Sequence, residues 1–326
     1  MSGSTTWRGA TSGETAIQPV AVTAAAPRGV WVVVVNYNTA GLLERCLTAV
    51  SASCLDRPLS VLVVDNASQD DSVAMVRQRF PQVLVLETGR NLGFARANNV
   101  ALRRILALLP EPVRCGHAVL LLNSDCFVEP ETIARLVAVL DREPRVAVVG
   151  PKLVLPDGRL DLACRRSFPT PLSALWKLTG LAALFPRSPR FGRYNLTCYD
   201  PDQPLEVDAV SGACMLVRLR VIEEVGLLDE AYFMYGEDLD WAYRIKARGW
   251  RVRYEPTARA VHVKGGSWGR RDPRVLWEFY RAMALFYRRH YAPHQSRLLR
   301  GLVYAGIGLR FGLALGVLAV RRFAGR

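Results

Sequence analysis

The sequence lacks the short motifs that usually announce a nucleotide or metal site. No G-x-G-x-x-G follows its first strand-like run, and no G-x-x-x-x-G-K-[ST] occurs. Their absence argues against the dinucleotide turn of oxidoreductases and the phosphate loop of nucleotidases. The seven cysteines (Cys46, Cys54, Cys115, Cys126, Cys164, Cys198 and Cys214) are odd in number, scattered and free of any C-x-x-C pair. Neither a disulfide framework nor a zinc ribbon is indicated, and a reducing cytoplasm is the natural setting. Residues 1–28 have no basic start followed by an apolar stretch; rich in Ser, Thr, Ala and Gly, they read as a disordered leader. Acidic residues are the minority, 29 against 43 Lys and Arg, for a formal charge of +14. That excess suits an anionic partner: nucleic acid, a nucleotide-linked substrate or an acidic membrane surface.

What is present is an α/β pattern. Residues 30–36, 61–65, 83–87, 118–123 and 146–149 form short apolar, largely β-branched runs, as in strands covered on both faces. Helix-like stretches separate them at 42–52, 71–80, 94–109 and 131–142. The alternation predicts a mostly parallel sheet with right-handed crossovers, whose ligands bind beyond the carboxyl ends of the strands. The residues closing these strands (36–38, 65–68, 90–91 and 123–125) are mainly Asn, Asp, Ser and Arg, and should converge on one crevice. Such a set suits a nucleotide, because base edges and ribose hydroxyls need paired donors and acceptors while phosphates need Arg or a metal. Asp125, ending the apolar run 119–122, is well placed to hold a hard divalent cation that also touches a diphosphate; the plain alternative is an Asn-Ser-Asp turn. His262 is a further candidate ligand. His290 and His294, with Pro293 between them, read as surface residues.

An acidic pair, Glu237-Asp238, follows Phe233, Met234 and Tyr235. Adjacent carboxylates among bulky apolar residues are costly unless they bind a cation or handle a proton. With a helix starting near Glu237, Asp238 shares a face with Trp241, Ala242 and Ile245, and Asp240 falls in line with Arg244. Asp238 is therefore expected to face inward as a general base, and Asp240 to point outward in a solvated ion pair with Arg244. Glu237 is left to support the base or touch the acceptor.

Val33-Val-Val-Asn-Tyr-Asn38, Val63-Val-Asp-Asn-Ala-Ser68, Asn91-Leu-Gly-Phe-Ala95, Asn123-Ser-Asp125, Val207-Asp-Ala-Val-Ser-Gly-Ala-Cys-Met-Leu-Val-Arg218, Phe233-Met-Tyr-Gly-Glu-Asp238 and Gly249-Trp250 with His262 together resemble the inverting glycosyltransferase family 2, within it the rhamnosyltransferase-like branch. The likeness runs from about residue 30 to residue 291 and implies a GT-A fold: α/β, a mostly parallel central sheet flanked by helices. It implies a catalytic domain over 29–265, with a nucleotide half (29–126) and an acceptor half (127–265), then a C-terminal helical extension (266–326). By the same likeness Asn36, Asn38, Asp65 and Asn66 would cradle base and ribose, and Arg90, Asn91, Asn123 and Ser124 would lie near the donor. Asp125 would bind manganese or magnesium with His262, Asp238 would be the base with Glu237 beside it, and Gly212, Ala213 and Trp241 would lie on the acceptor side. The family's Asp-x-Asp here begins with Asn123, which offers only a neutral oxygen.

The implied reaction moves one sugar from a nucleotide-diphosphate donor, dTDP-L-rhamnose first, to a hydroxyl of a glycan or polyprenyl-diphosphate-linked sugar in cell-envelope polysaccharide synthesis. Another hexosyl or a galactofuranosyl transfer is the runner-up. The Gln-x-x-Arg-Trp motif and multiple spans of processive members are not found, which favours single addition. A nucleic-acid-binding protein would account for the charge but not for an acidic crevice, which repels phosphate. A sugar nucleotidyltransferase would need a Gly-rich basic loop where Asn36-Tyr-Asn-Thr-Ala40 stands.

Residues 302–320 are mostly apolar; as a helix they would reach about 28 Å, against a hydrocarbon core of about 30 Å. Arg310 at the centre costs about 2.5–3.5 kcal/mol on insertion scales, so a full span is not favoured over an interfacial or core-packed helix. Gly308, Gly312 and Gly316 predict a smooth face packed against another helix of the chain. Arg281, Arg288, Arg289, Arg297, Arg300, Arg321 and Arg322 bracket the segment and favour peripheral contact with the inner face of the cell membrane. The apolar, Pro-containing stretch 168–191 fits an acceptor lid, a membrane-touching loop or a helical hairpin packed on the core.

Overall fold

The computed structural model describes residues 29–114, 116–265 and 272–324, so the expected leader and Cys115 lie outside the described residues. The first half runs β1 (Val30–Asn36), α1 (Ala40–Ser51), β2 (Leu59–Asp65), α2 (Ser72–Arg79), β3 (Leu84–Glu87), α3 (Gly93–Leu108), α4 (Glu111–Arg114), β4 (Ala118–Asn123), β5 (Cys126–Val128), α5 (Thr132–Arg142) and β6 (Val146–Val154). The second runs β7 (Arg165–Arg166), α6 (Pro171–Leu178), α7 (Leu181–Leu184), β8 (Leu205–Val207), β9 (Ala209–Val210), β10 (Cys214–Arg218), α8 (Leu219–Val225), α9 (Glu237–Ala247), β11 (Arg251–His262), α10 (Pro273–His290) and α11 (Arg297–Ala324).

Among the described residues nine strands form one sheet, in the order β3-β2-β1-β4-β10-β6-β11-β5 with β8 on β11. β3, β2, β1 and β4 are parallel, as the helices between them require. β10 enters antiparallel between β4 and β6, and β11 runs parallel to β6 and antiparallel to β5 and β8. Val32, Val33, Val34, Leu62, Val63, Val64 and 119–122 are all buried, which is why these strands read as unbroken apolar runs. Register lines up the strand ends: Asn36 sits opposite Asp65, Asp65 opposite Glu87, and Asn123 opposite Val35.

Gly93 joins this row to the acidic loop. Its φ is +79°, and a Cβ there would run into the Phe233 carbonyl, which accepts from Phe94 N at 2.7 Å. Only glycine combines that backbone with so close an approach. The start of α3 is thereby locked to the loop that leads into α9 and its Glu237 and Asp238.

α10 folds back over the acceptor half: Phe286 packs on Ala209, Leu239 and Ala242, while Ala282 and Leu285 pack around Tyr232. α11 then lies on α10 through aromatic contacts, Trp277–Phe311 (5.7 Å between centroids), Tyr280–Phe311 (5.5 Å) and Tyr287–Tyr304 (5.4 Å). The glycine expectation is corrected here. A Cβ on Gly308, Gly312 or Gly316 would meet nothing within 4 Å, because α11 uses its aromatic face against α10 and leaves the small residues open with Leu309, Leu313, Val317 and Val320. Residues 297–320 are long and apolar enough to cross a membrane by length and composition, and their most apolar window is not buried in the protein. The 168–191 stretch is a helical hairpin, α6 opening with a Thr170–Ser173 capping box. Leu172, Leu175, Leu184 and Phe185 stay exposed on it, so it is not packed into the core.

Candidate active site

On the nucleotide side the predicted residues divide into braces and free groups. Asn36, fully buried, donates Nδ2 to Asp65 Oδ1 (3.0 Å) and Ser68 Oγ (3.0 Å), and accepts from Thr39 Oγ1 (2.6 Å). Asp65 also accepts from Ser68 N (2.9 Å) and Oγ (2.6 Å). Asn66 accepts from Leu92 N (3.2 Å) and donates to Gly93 O (3.1 Å). These buried groups are engaged by the protein itself, so they shape the crevice by tying loops to strand ends. Asn38, at φ +54° and exposed, accepts from Gln69 N on its Oδ1 (2.7 Å). Arg90 is exposed with no ion pair among the described residues, and Asn91 caps Gly93 N (2.9 Å).

The pairing of β5 with β11 sets His262 opposite Cys126 and so beside Asp125. His262 Nε2 lies 3.4 Å from Asp125 Oδ1, and its Nδ1 lies 2.9 Å from Asp161 Oδ2. Asp161, fully buried, takes Lys264 Nζ on its other oxygen at 2.5 Å. Burial works to raise the Asp161 carboxyl, but hydrogen bonds from His262 and Lys264 outweigh it and hold it down at about 2. Burial works to lower His262, but hydrogen bonds to Asp125 and Asp161 outweigh it and hold the ring up at about 9. Ser124 Oγ lies 2.9 Å from Thr39 Oγ1 and fixes the turn, while Asn123 Oδ1 is buried without a hydrogen-bond partner among the described residues.

α9 begins after Gly236 (φ +80°), with Glu237, Asp238 and Asp240 in the first turn, where the helix dipole favours negative charge. Asp238 Oδ2 accepts from Arg166 Nη2 (2.6 Å) and Gly212 N (3.0 Å), and Oδ1 accepts from Leu239 N (2.7 Å). Glu237 is 5% exposed and its Oε2 has no partner among the described residues. Burial, with the Asp238 charge adding to it, pushes the Glu237 carboxyl up to about 8.

Three sequence expectations are corrected. Trp241 is wholly buried and donates Nε1 to Gly226 O (2.9 Å), so it is a core residue and cannot meet an acceptor. Asp240 is 1% exposed, clasped by Arg244 Nε (2.8 Å) and His290 Nε2 (2.8 Å), and is not an outward, solvated partner. His290 is accordingly not a surface residue. Both errors share one cause: α10 covers the face of α9 that a helical wheel leaves to solvent. Ala213 is buried and accepts from Asn123 N (2.9 Å), while Gly212 meets Asp238 through its backbone.

Residues 27–284 match the model of glycosyltransferase-like family 2. The chain belongs to that family. The N-acetylglucosaminyl-diphospho-decaprenol L-rhamnosyltransferase of Mycobacterium tuberculosis is 32% identical over 287 residues, 86% of this chain and 90% of that one. The dTDP-rhamnosyl transferase of Shigella flexneri is 23% identical over 239 residues, 72% of this chain and 69% of that one. A mannosyltransferase of Pyrobaculum calidifontis, solved with GDP-Man and Mn2+, matches with a TM-score of 0.55 at 20% identity, covering 92% of this chain and 75% of that one. The fold is GT-A and the protein is a glycosyltransferase, as the motifs implied.

The carboxylate of Asp125 and the imidazole of His262, brought within 3.4 Å of each other, are of the kind a divalent cation takes, and two residues before Asp125 the amide oxygen of Asn123 is buried without a partner among the described residues. Among the described residues no group of three or more His, Cys, Asp or Glu gathers to hold a metal. Sequence reasoning missed Asp161, Lys264 and Arg166. Nothing in the sequence spacing ties Asp161 to His262 or Arg166 to Asp238; the one available signal was Arg165-Arg166 within an otherwise apolar stretch.

Proposed function

We propose that this enzyme transfers one sugar, with inversion, from dTDP-L-rhamnose to a hydroxyl of a polyprenyl-diphosphate-linked sugar during cell-envelope polysaccharide synthesis, at the cytoplasmic face of the membrane. The observation that carries the reading is the 32% identity over 86% of the chain to a rhamnosyltransferase named for a diphospho-decaprenol-linked N-acetylglucosamine. The dTDP-rhamnose donor is supported by the Shigella relative.

In this reading Asn38, Arg90 and Asn91 hold the nucleotide over the braced floor of Asn36, Asp65 and Asn66. Asp125 and His262, with the Asn123 oxygen, would hold a manganese or magnesium ion, which when bound supplies positive charge to the departing diphosphate. Asp238 takes the acceptor hydroxyl proton as that oxygen attacks, a role worth about 10²–10⁴-fold. Arg166 and the Gly212 amide fix its orientation. Glu237, carrying a proton at neutral pH, adds no second charge beside Asp238 and keeps an O–H to offer the acceptor. Direct displacement inverts the anomeric centre without a covalent sugar–enzyme intermediate. The open apolar face of α11 brings the crevice to the membrane, where a lipid-linked acceptor resides.

The test is transfer by the purified enzyme from dTDP-L-rhamnose, UDP-galactofuranose, UDP-glucose and GDP-mannose to a short-chain polyprenyl-diphosphate N-acetylglucosamine, with the product anomer read by NMR. Rhamnosyl transfer with inversion is expected; a preference for another donor, or retention, overturns the reading.

A further inference from the structure

Between β7 and β8 the chain leaves the sheet as the α6–α7 hairpin, and the neck of that hairpin stands at the acidic site. Ser167 N donates to Tyr194 O (2.9 Å) one residue after Arg166, whose Nη2 holds Asp238. Phe168 packs on Tyr243 of α9 (5.0 Å between centroids) and on Phe286 of α10 (6.4 Å), and α10 is the helix on which α11 also lies. Hairpin and α11 thus share one support. Beyond the neck the hairpin is closed by its own residues: Trp176 and Phe185 both pack on Phe191 (5.0 and 5.7 Å), Arg190 lies over Trp176 (5.1 Å), and Thr197 Oγ1 donates to Pro186 O (2.5 Å).

Although the hairpin is closed in this way, Leu172, Leu175, Leu184 and Phe185 are 44–69% exposed. One exposed leucine is ordinary; four large apolar side chains on one short hairpin are a patch that calls for a partner. The charge of the same stretch has one sign. Residues 167–199 contain Lys177, Arg187, Arg190 and Arg193 and no Asp or Glu. All four cations are exposed, and none forms an ion pair with a carboxylate among the described residues. A second copy of the chain would set these cations against themselves. An anionic lipid surface takes both parts, leucines at the acyl boundary and cations at the phosphates, and this is the composition of an element that lies in a membrane interface.

We propose that the α6–α7 hairpin is a second membrane contact, in which Leu172, Leu175, Leu184 and Phe185 enter an anionic lipid surface while Lys177, Arg187, Arg190 and Arg193 meet its phosphate headgroups. The inference rests on the reading that α11 holds the enzyme at the membrane. Four side chains are a small patch beside α11, so the hairpin engages once α11 has tethered the chain and raised its local concentration at the lipid. Because the neck adjoins Arg166, a seated hairpin sets Asp238 beside the surface from which a lipid-linked sugar is presented.

The experiment follows hydrogen–deuterium exchange of the full-length enzyme, without donor, in solution and on phosphatidylglycerol vesicles. On the vesicles the amides of residues 171–185 should exchange at least about tenfold more slowly than in solution. Leu172→Ser combined with Leu184→Ser should abolish that slowing while α11 stays slowed. Arg187→Gln and Arg193→Gln should each reduce it about fivefold, the effect of one cation near anionic lipid. All four side chains are exposed, and thermal unfolding at the wild-type temperature ties any loss to the contact. Unchanged exchange at 171–185 while α11 is slowed overturns the proposal and leaves the membrane role of α11 standing; unchanged exchange in both overturns the two together. Slowing produced without vesicles assigns the hairpin elsewhere and also overturns the proposal: to an acceptor lid where a soluble short-chain polyprenyl-diphosphate sugar causes it, to a second copy where it grows with protein concentration. Equal slowing in wild type and both arginine variants takes the headgroups out of the contact and overturns it as well.

Discussion

The stability of Glu237→Gln relative to wild type should rise as the pH is raised from acid to neutral. The Glu237 carboxyl is pushed from its ordinary value of 4.5 up to about 8 by burial and by Asp238. Between those limits the folded chain holds a proton that the unfolded chain has released. Stability from this group is therefore complete below pH 4.5 and declines as pH rises toward 8. At pH 7.5 the unfolded carboxyl has titrated through about three units that the folded one has not, and at about 1.36 kcal/mol per unit the cost is on the order of 4 kcal/mol. Glutamine has the same shape and nothing to titrate. Any penalty for burying its amide is the same at both pH values and cancels in the comparison. The stability difference between Glu237→Gln and wild type should thus grow in favour of the variant by about 2–4 kcal/mol from pH 5 to pH 7.5, measured by urea unfolding in EDTA with circular dichroism. A difference that is equal at both pH values, or that moves the other way, would refute a protonated Glu237.

Asp238→Asn should lower transfer at least about 10²-fold while dTDP still binds; near-normal turnover would remove Asp238 as the base. His262 is held protonated up to about 9 by Asp125 and Asp161, so manganese must displace that proton. Manganese affinity, followed by electron paramagnetic resonance, should rise by about tenfold per pH unit between 7 and 9, and a flat profile would take His262 out of the shell. Truncation after residue 294 should release the protein from phosphatidylglycerol vesicles in flotation while circular dichroism stays near wild type; a folded truncated protein that still floats would sink the membrane role of α11.

The nucleotide half was legible because its order is local. The central strands β1 and β4 are covered apolar runs, each crossover is a helix of ordinary length, and the polar residues at the strand ends fall into register once the strands are parallel. The acidic helix was equally readable, since Gly236 and Glu237 mark its start. What could not be read was contact made by elements far apart in sequence. Asp240 has the periodicity of an exposed residue, and only the return of α10 with His290 buries it. Asp161 carries no motif, yet it holds His262 through a contact that exists once β11 lies between β6 and β5. The glycines of α11 failed differently: small residues permit close packing without demanding it, and the aromatic residues of α10 drew the other face inward.

The pair Glu237-Asp238 shows how far one sequence feature can carry the chemistry. Two neighbouring carboxylates in an apolar setting cannot both be charged at low cost, so one must find partners or one must keep its proton. The fold does both. Arg166 and the Gly212 amide converge on Asp238, whereas the Glu237 Oε2 is buried and unpartnered. In the proposed mechanism Asp238 takes the proton, and Glu237, its carboxyl pushed up to about 8 by burial and by Asp238, is the neutral group beside it. Arg166→Leu removes the guanidinium that holds the Asp238 carboxylate in place, and should cost transfer even though Arg166 takes no part in moving the proton. Arg166→Lys should recover part of that loss by keeping the charge, and a lysine variant no better than leucine would mean that geometry, not charge, is what Arg166 supplies.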